Sequence, residues 1–201
     1  MDSNTLPIIT TERVVLRWVS ENDIDNLFEV FSDPQVMRYW STPPYTDREA
    51  AVKLQREIAA SNENNTMIKW GLALRDSDRL IGTATLFNLN LDNGRAELGY
   101  ALGRAHWGQG YMNEALQALL FHAFEVMQLR RLEADVDPRN TGSIRTLERL
   151  GFQREGFLRE RWHVNGEIQD ALFYGLLRRE FKSRAATEGR AYSTRDSAQS
   201  I

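Results

Sequence analysis

The 201-residue chain contains no cysteine, and that absence removes disulfide bridges, thiolate metal sites and a cysteine nucleophile together. Histidine is scarce as well, with three in the whole chain. His122 and His163 lie too far from one another, and from other ligand types, to suggest the spacing of a zinc site. No metal is expected. An excess of charge of one sign is also missing: 25 lysines and arginines stand against 28 acids, a net charge of −3. Nothing electrostatic therefore favours a nucleic-acid partner. No apolar run approaches the roughly 20 residues needed to cross a bilayer. The segment Met1-Asp-Ser-Asn-Thr5 lacks a basic region followed by an apolar stretch, so no signal peptide is expected. Together these absences lead us to expect a soluble, cytoplasmic protein with no membrane partner.

What is present is enough apolar material for one well-buried core, 42% of the chain. A single α/β domain over residues 1–182 is expected. Residues 183–201 have few large apolar groups and read as a disordered tail. Along the domain, Arg13–Trp18 reads as a first strand. Ser20 and Asp23 resemble a helix start ahead of Ile24, Leu27, Phe28 and Phe31 at helical spacing. Asp33-Pro34 stops that helix, and a short one carries Met37, Tyr39 and Trp40. After the loop Thr42–Tyr45, Thr46 with Glu49 forms a capping box for a helix to about Ala60, and Ser61–Asn65 is a polar break. Strands are expected at 67–74, 80–87 and 95–102. The turns at Asp76–Asp78 and at Asp92-Asn-Gly94 make them antiparallel. A helix from about Gly110 to Met127 follows. Next come a strand at 131–136, a short helix to Leu150 closed by Gly151, and two strands, from Phe152 and at 167–177, turning at Asn165-Gly166.

The segment Glu97–Ala115 carries the chemistry. It runs from a strand through a loop with glycines at 108 and 110 into an amphipathic helix. Such a loop aims several backbone N–H groups one way at the positive end of a helix dipole, a setting for phosphate or pyrophosphate. Alone, Gly-x-Gly is a weak signal.

Three further features accompany it: Ala96-Glu-Leu-Gly-Tyr100 before the loop, Pro138-Arg-Asn140 with Ser143, and Leu150-Gly-Phe152 with Glu155-Gly156. Together with His106-Trp-Gly-Gln-Gly-Tyr111 and Glu114-Ala115, they resemble the GCN5-related N-acetyltransferase (GNAT) superfamily. More narrowly, they resemble its RimJ/RimL branch, which acetylates the N-terminal amine of ribosomal proteins. The resemblance spans roughly residues 8 to 180. It implies a mixed, mostly antiparallel seven-stranded sheet flanked by helices, with two central strands, 95–102 and 131–136, splayed apart. Acetyl-CoA would lie in that gap as co-substrate, its pyrophosphate on the loop amides. The implied cofactor-binding set is Tyr100, Ala101, Leu102, His106, Trp107, Gly108, Gln109, Gly110, Tyr111, Met112, Asn140 and Ser143. The implied acceptor wall includes Tyr39, Trp40 and Tyr45. Monomer and homodimer both fit the family.

Three positions depart from the family's pattern. Ala105 stands where the loop begins with Gln or Arg, so binding must rest mainly on backbone amides. Leu147 stands where many members carry a Tyr acid, leaving the role to Ser143, as proposed in the ribosomal branch. That branch also has a Glu base after the Gly-Phe motif; its place falls at Trp162, with Glu160 two residues earlier.

Acetyl transfer to an amine needs a neutral nitrogen, a polarised thioester and an acid for the departing sulfur. An α-amine, of reference pKa ~7.7–8.0, is already partly neutral near pH 7, whereas a lysine at ~10.4 is almost wholly charged. A modest base therefore suffices for an N-terminus. Without cysteine, direct attack in a ternary complex is expected. Glutamate is depleted in strands, which singles out Glu97 as the candidate base, against a solvated strand residue paired with Arg95. Asn140 is either a ligand of the pantetheine arm or a helix cap, and His106 and Trp107 either line the groove or pack beneath it. The alternatives to N-terminal acetylation are a small amine such as a polyamine, antibiotic or amino-sugar, and a catalytically silent acyl-CoA-binding module.

Overall fold

The computed structural model describes residues 7–63, 67–182 and 193–195, with 62, 63 and 193–195 described by backbone alone. Its strands are β1 (Ile8–Thr10), β2 (Val14–Arg17), β3 (Met67–Leu74), β4 (Leu80–Asn90), β5 (Arg95–Leu102), β6 (Arg131–Val136), β7 (Gln153–Val164), β8 (Glu167–Leu177) and β9 (Ser193–Arg195). Its helices are α1 (Ile24–Ser32), α2 (Arg48–Glu63), α3 (Tyr111–Phe121) and α4 (Thr141–Arg149). The strands form one sheet in the order β7-β8-β6-β5-β4-β3-β2-β1-β9. Every pairing is antiparallel except β5 with β6. This is the α/β architecture expected, with eight strands in the body of the sheet where seven were expected. The additional one, β1, is three residues long and too short to announce itself by periodicity. Most of the tail expected at 183–201 lies outside the described residues; Ser193–Arg195 pair with β1.

The sheet separates two cores. Against α3 and α4 it buries Leu16, Trp70, Leu86, Leu98, Leu116, Leu119, Phe124, Leu132, Leu147 and Phe152. Under α1 and α2 it buries Leu27, Phe31, Ala51, Ile58, Leu80 and Ala101. Each of the leucine, isoleucine and phenylalanine side chains taken fully from water contributes about 1.5–3 kcal/mol before the entropy of ordering it is counted. In β5 alternation sends Leu98 to the first core with Tyr100 and Leu102 against it, and Ala101 to the second. Glu97, two steps from Gly99 and four from Ala101, therefore faces the α1–α2 side.

Local chemistry sets the element ends. Ser20 donates from both its N–H and its hydroxyl to the Asp23 carboxylate, at 2.7 and 3.0 Å, which opens α1 through a 3₁₀ turn as expected. The Asp23 side chain is almost fully buried and is gripped by two nitrogens of Arg17, at 2.8 and 2.9 Å. At α2 the expected cap moves by one residue. Asp47, not Thr46, accepts the first-turn amide of Ala50 at 3.0 Å, and the helix continues through the expected break as far as Glu63. α3 ends in one π-helical turn, His122–Val126, in which the amide of Met127 reaches back to the carbonyl of His122 at 2.9 Å. Gly151, at φ +96°, closes α4. No helix among the described residues is long and apolar enough to cross a membrane.

One irregularity positions everything that follows. β5 keeps its ladder with β4 as far as Leu102, and β6 keeps its ladder with β8 as far as Val136. Between themselves they share only the pairs Arg95–Arg131, Ala96–Leu132 and Glu97–Glu133. Beyond Glu97 the two strands part, and the sheet opens into a wedge. The expected splay of these two strands is the observed one.

Candidate active site

At the far end of β5 the chain leaves the sheet through a 3₁₀ turn, Arg104–His106, and the glycine loop. Gly108 and Gly110 have φ of +73° and +84°, values at which a Cβ would strain the backbone. Among the described residues no backbone carbonyl accepts from the amides of Gly108 to Asn113; the first amide of α3 with such a partner is that of Glu114, bonded to Gly110 at 3.0 Å. Six consecutive amides are thus left at a helix N-terminus beside the wedge, which is the arrangement a pyrophosphate needs.

The loop is not held by backbone alone. Arg13, between β1 and β2, donates from Nη1 to the carbonyl of Gln109 at 2.9 Å and from Nε to Glu114 at 2.7 Å. Its guanidinium lies over the Tyr111 ring, 4.8 Å from the centroid. The hydroxyl of Thr11 donates to the same Glu114 at 2.6 Å. Burial raises the Glu114 carboxyl, but the hydrogen bonds from Thr11 and Arg13 outweigh it and hold the group below its ordinary value. A peptide's C=O and N–H point in opposite directions. By fixing the Gln109 carbonyl, Arg13 therefore turns the Gly110 amide the other way. The residue that pins the loop thus lies 96 positions from Gln109 in the sequence. Gln109 in turn donates through Nε2 to the Ala105 carbonyl at 2.9 Å, and the Trp107 indole donates to the Leu102 carbonyl at 2.7 Å. His106 meets Tyr111 edge-on at 6.1 Å, while Met112 is buried in the core.

A hydroxyl pair bridges the wedge. The Tyr100 phenol from β5 lies 2.7 Å from the Ser143 hydroxyl in the first turn of α4. Burial pushes Tyr100 up to about 12, with the Ser143 hydrogen bond opposing. Asn140 accepts the Ser143 amide on its side-chain oxygen at 3.1 Å, so it does cap α4. That cap fixes where Ser143 presents its hydroxyl. Leu147, one turn further on, is 1% exposed and packs in the core.

Glu97 occupies the last position at which β5 and β6 pair, opposite Glu133. Glu133 is nearly buried and paired with Arg131 at 2.7 Å and Arg95 at 3.5 Å. Asp135 is paired with Arg161, and Asp137 with Arg139 at 2.6 Å. Burial raises Asp137, but its bonds from Arg139 prevail and lower it. Glu97 has no cationic partner among the described residues. Its Oε1 accepts only the side-chain amide of Asn88, at 2.9 Å.

The aromatic residues expected at the acceptor wall divide. Trp40 and Tyr45 brace Phe31, edge-on at 5.4 Å and stacked at 5.6 Å, and belong to the second core. Tyr39 lies apart from them between Arg38 and Arg139, whose guanidinium carbons are 5.2 and 5.7 Å from its centroid. It thus sits by the approach to α4. Glu160 and Trp162 stand on exposed β7, at the lip of the sheet. His122 is buried against Trp70, and no three candidate metal ligands meet among the described residues.

Comparison with known proteins agrees with this geometry. Residues 13–153 match the acetyltransferase (GNAT) domain family. The chain is 37% identical over 174 residues to the uncharacterized N-acetyltransferase p20 of Bacillus licheniformis, covering 85% of this chain and 96% of that one. It is 27% identical over 175 residues to the [ribosomal protein uS5]-alanine N-acetyltransferase of Escherichia coli, covering 84% and 89%. The crystal structure of a GNAT-family acetyltransferase from Bacillus anthracis superposes with a TM-score of 0.77 at 25% identity, covering 86% of this chain and 99% of that one. By its matched domain, its relatives and its fold, the chain belongs to the GNAT superfamily and is an acetyltransferase.

Proposed function

We propose that the chain transfers the acetyl group of acetyl-CoA, the co-substrate of its family, to the N-terminal α-amine of a protein, in the manner of the RimJ/RimL branch. The observation that carries this reading is the charge balance around the wedge. Glu133, Asp135 and Asp137 each have an arginine partner, and Glu97 alone does not. A polycationic acceptor such as a polyamine is best held by several unpaired carboxylates. A single free carboxylate fits one amine. The E. coli relative, which by its name acts on an alanine of ribosomal protein uS5, supports the same choice.

In this reading the amide row of Gly108–Asn113 holds the pyrophosphate and the wedge holds the pantetheine arm. The acceptor nitrogen attacks the thioester carbon, and Glu97 takes its proton through a water. The C–S bond then breaks while the Ser143 hydroxyl, backed by the Tyr100 phenol, meets the departing sulfur. With Tyr100 pushed up to about 12, the pair stabilises the thiolate as a hydrogen-bond donor. The proton taken from the amine keeps the overall balance when CoA leaves as a thiol. The acceptor and the role of Glu97 are tested by one assay. CoA release is measured against N-terminal peptides, spermidine and an amino-sugar, with acetyl-CoA saturating. Peptides should give the highest kcat/KM, and Glu97→Gln should lower kcat by roughly 10²-fold or more. A higher kcat/KM for spermidine than for every peptide would overturn the N-terminal assignment.

A further inference from the structure

We infer that Asn88 is a positioning residue for the Glu97 carboxylate, delivered to it by a bulge in β4; this rests on the reading of Glu97 as the base. β4 and β5 pair regularly from Gly82–Leu102 to Phe87–Glu97, and the next pair is Asn90–Arg95. Asn88 and Leu89 therefore stand against Ala96 alone, two residues against one, which is a β-bulge. In unbroken alternation Asn88 would follow Leu86 towards the α3 core and Leu89 would follow Phe87 to the opposite face. The bulge reverses both. Leu89 packs against the α3 core, and Asn88 turns its amide onto Glu97 at 2.9 Å.

The backbone shows what this arrangement costs. Asn88 has φ +49°, the left-handed region that non-glycine residues enter sparingly and Asn most readily. Strain of this kind clusters where a side chain must be aimed. Here it lies beside the point where β5 and β6 part. The ordered amide removes freedom from the one unpaired carboxylate of the wedge and leaves its second oxygen to face the acceptor.

Asn88→Gly isolates the side chain, because glycine takes this φ without strain and the bulge is kept. Asn88→Asp keeps shape and backbone tolerance but sets a carboxylate against Glu97. The measurements are kcat and KM for acetyl-CoA, with the best acceptor from the panel above, for N88G, N88D, E97Q and N88G/E97Q, with thermal midpoints alongside. Expected are a roughly five- to tenfold loss of kcat in N88G, an equal or larger loss in N88D, and KM for acetyl-CoA within about twofold. In the E97Q background N88G should cost nothing further. N88G at full rate beside a slow E97Q would overturn the role of Asn88 and leave the base in place. The same loss from N88G with and without E97Q would do so too. E97Q at full rate would remove Glu97 from the chemistry and the Asn88 role with it.

Discussion

Replacing Arg13 with Met should weaken acetyl-CoA binding about tenfold, by a route separate from its effect on the fold. Methionine keeps the aliphatic stem but removes the bonds to Gln109 and Glu114 and the contact over Tyr111. The Arg13 side chain is 45% exposed and that of Glu114 19%, so solvent screens the pair to about 0.5–1 kcal/mol. The cation–π contact adds about as much. Glu114 keeps the Thr11 hydroxyl and the Arg13 backbone amide, at 2.6 and 2.8 Å, and is not orphaned. The total is about 1–2 kcal/mol, or roughly 2–8 °C in Tm for a domain of this size. Binding is affected through a different route. With the Gln109 carbonyl released between two glycines, the 109–110 peptide can turn over and take the Gly110 amide out of the row. Restoring that order on binding costs about 1.4 kcal/mol, a tenfold rise in Kd. Calorimetry with acetyl-CoA and with S-acetylpantetheine, which lacks the phosphates, separates the two effects. Wild type should prefer acetyl-CoA, and R13M should lose about tenfold of that preference while binding S-acetylpantetheine as before. A Tm lowered as expected with acetyl-CoA affinity unchanged would show that Arg13 fastens β1 and β2 to α3 and does nothing for the loop.

Two more predictions follow from the same structure. Tyr100→Phe deletes the phenol that meets Ser143; kcat should fall about tenfold, the same change in a Ser143→Ala background should cost nothing further, and fully additive losses would separate the two hydroxyls. Asp23→Asn breaks the nearly buried pair with Arg17 and should cost about 2–3 kcal/mol in urea denaturation at pH 7. Burial raises Asp23, yet Arg17 and Ser20 lower it on balance. A depressed carboxyl stabilises above its unfolded value near 3.8 and loses that contribution as pH falls through its folded value. Wild type should therefore lose stability on acidification below about pH 4–5 more steeply than D23N, and parallel curves would contradict the pairing.

The regular part of the fold was legible because local signals agreed with tertiary structure. The strands at 67–74, 95–102, 131–136 and 167–177 occupy the residues expected of them, since each is an apolar run ended by a turn sequence. Asn165-Gly166 takes positive φ at both positions, as a two-residue hairpin demands. The wedge and the glycine loop also emerge where a resemblance in motifs placed them. The groups that tune the site were not legible. Arg13 acts on a loop almost a hundred residues away, and no periodicity encodes that meeting. Asn88 did carry a signal, a polar residue interrupting Leu86-Phe-Asn-Leu89, but a bulge moves side chains between faces without any mark in alternation itself. The aromatic residues near Pro43-Pro44 show the opposite case: Trp40 and Tyr45 look alike to Tyr39 in sequence, and only packing around Phe31 sets them apart.

The three register pairs between β5 and β6 have a mechanical consequence. Between β2 and β8 they are the narrowest join in the sheet, a seam with β1–β5 on one side and β6–β8 on the other, and the crossover through α3 spans it. Hydrogen bonding along that seam stops where the wedge begins, so part of the backbone of residues 98–102 and 134–136 has no ladder to belong to. A molecule whose own arm carries amide groups can lie there as a surrogate strand. Binding would then stitch the two halves into one cooperative unit, and amide exchange along both lips of the seam would slow together when acetyl-CoA is added.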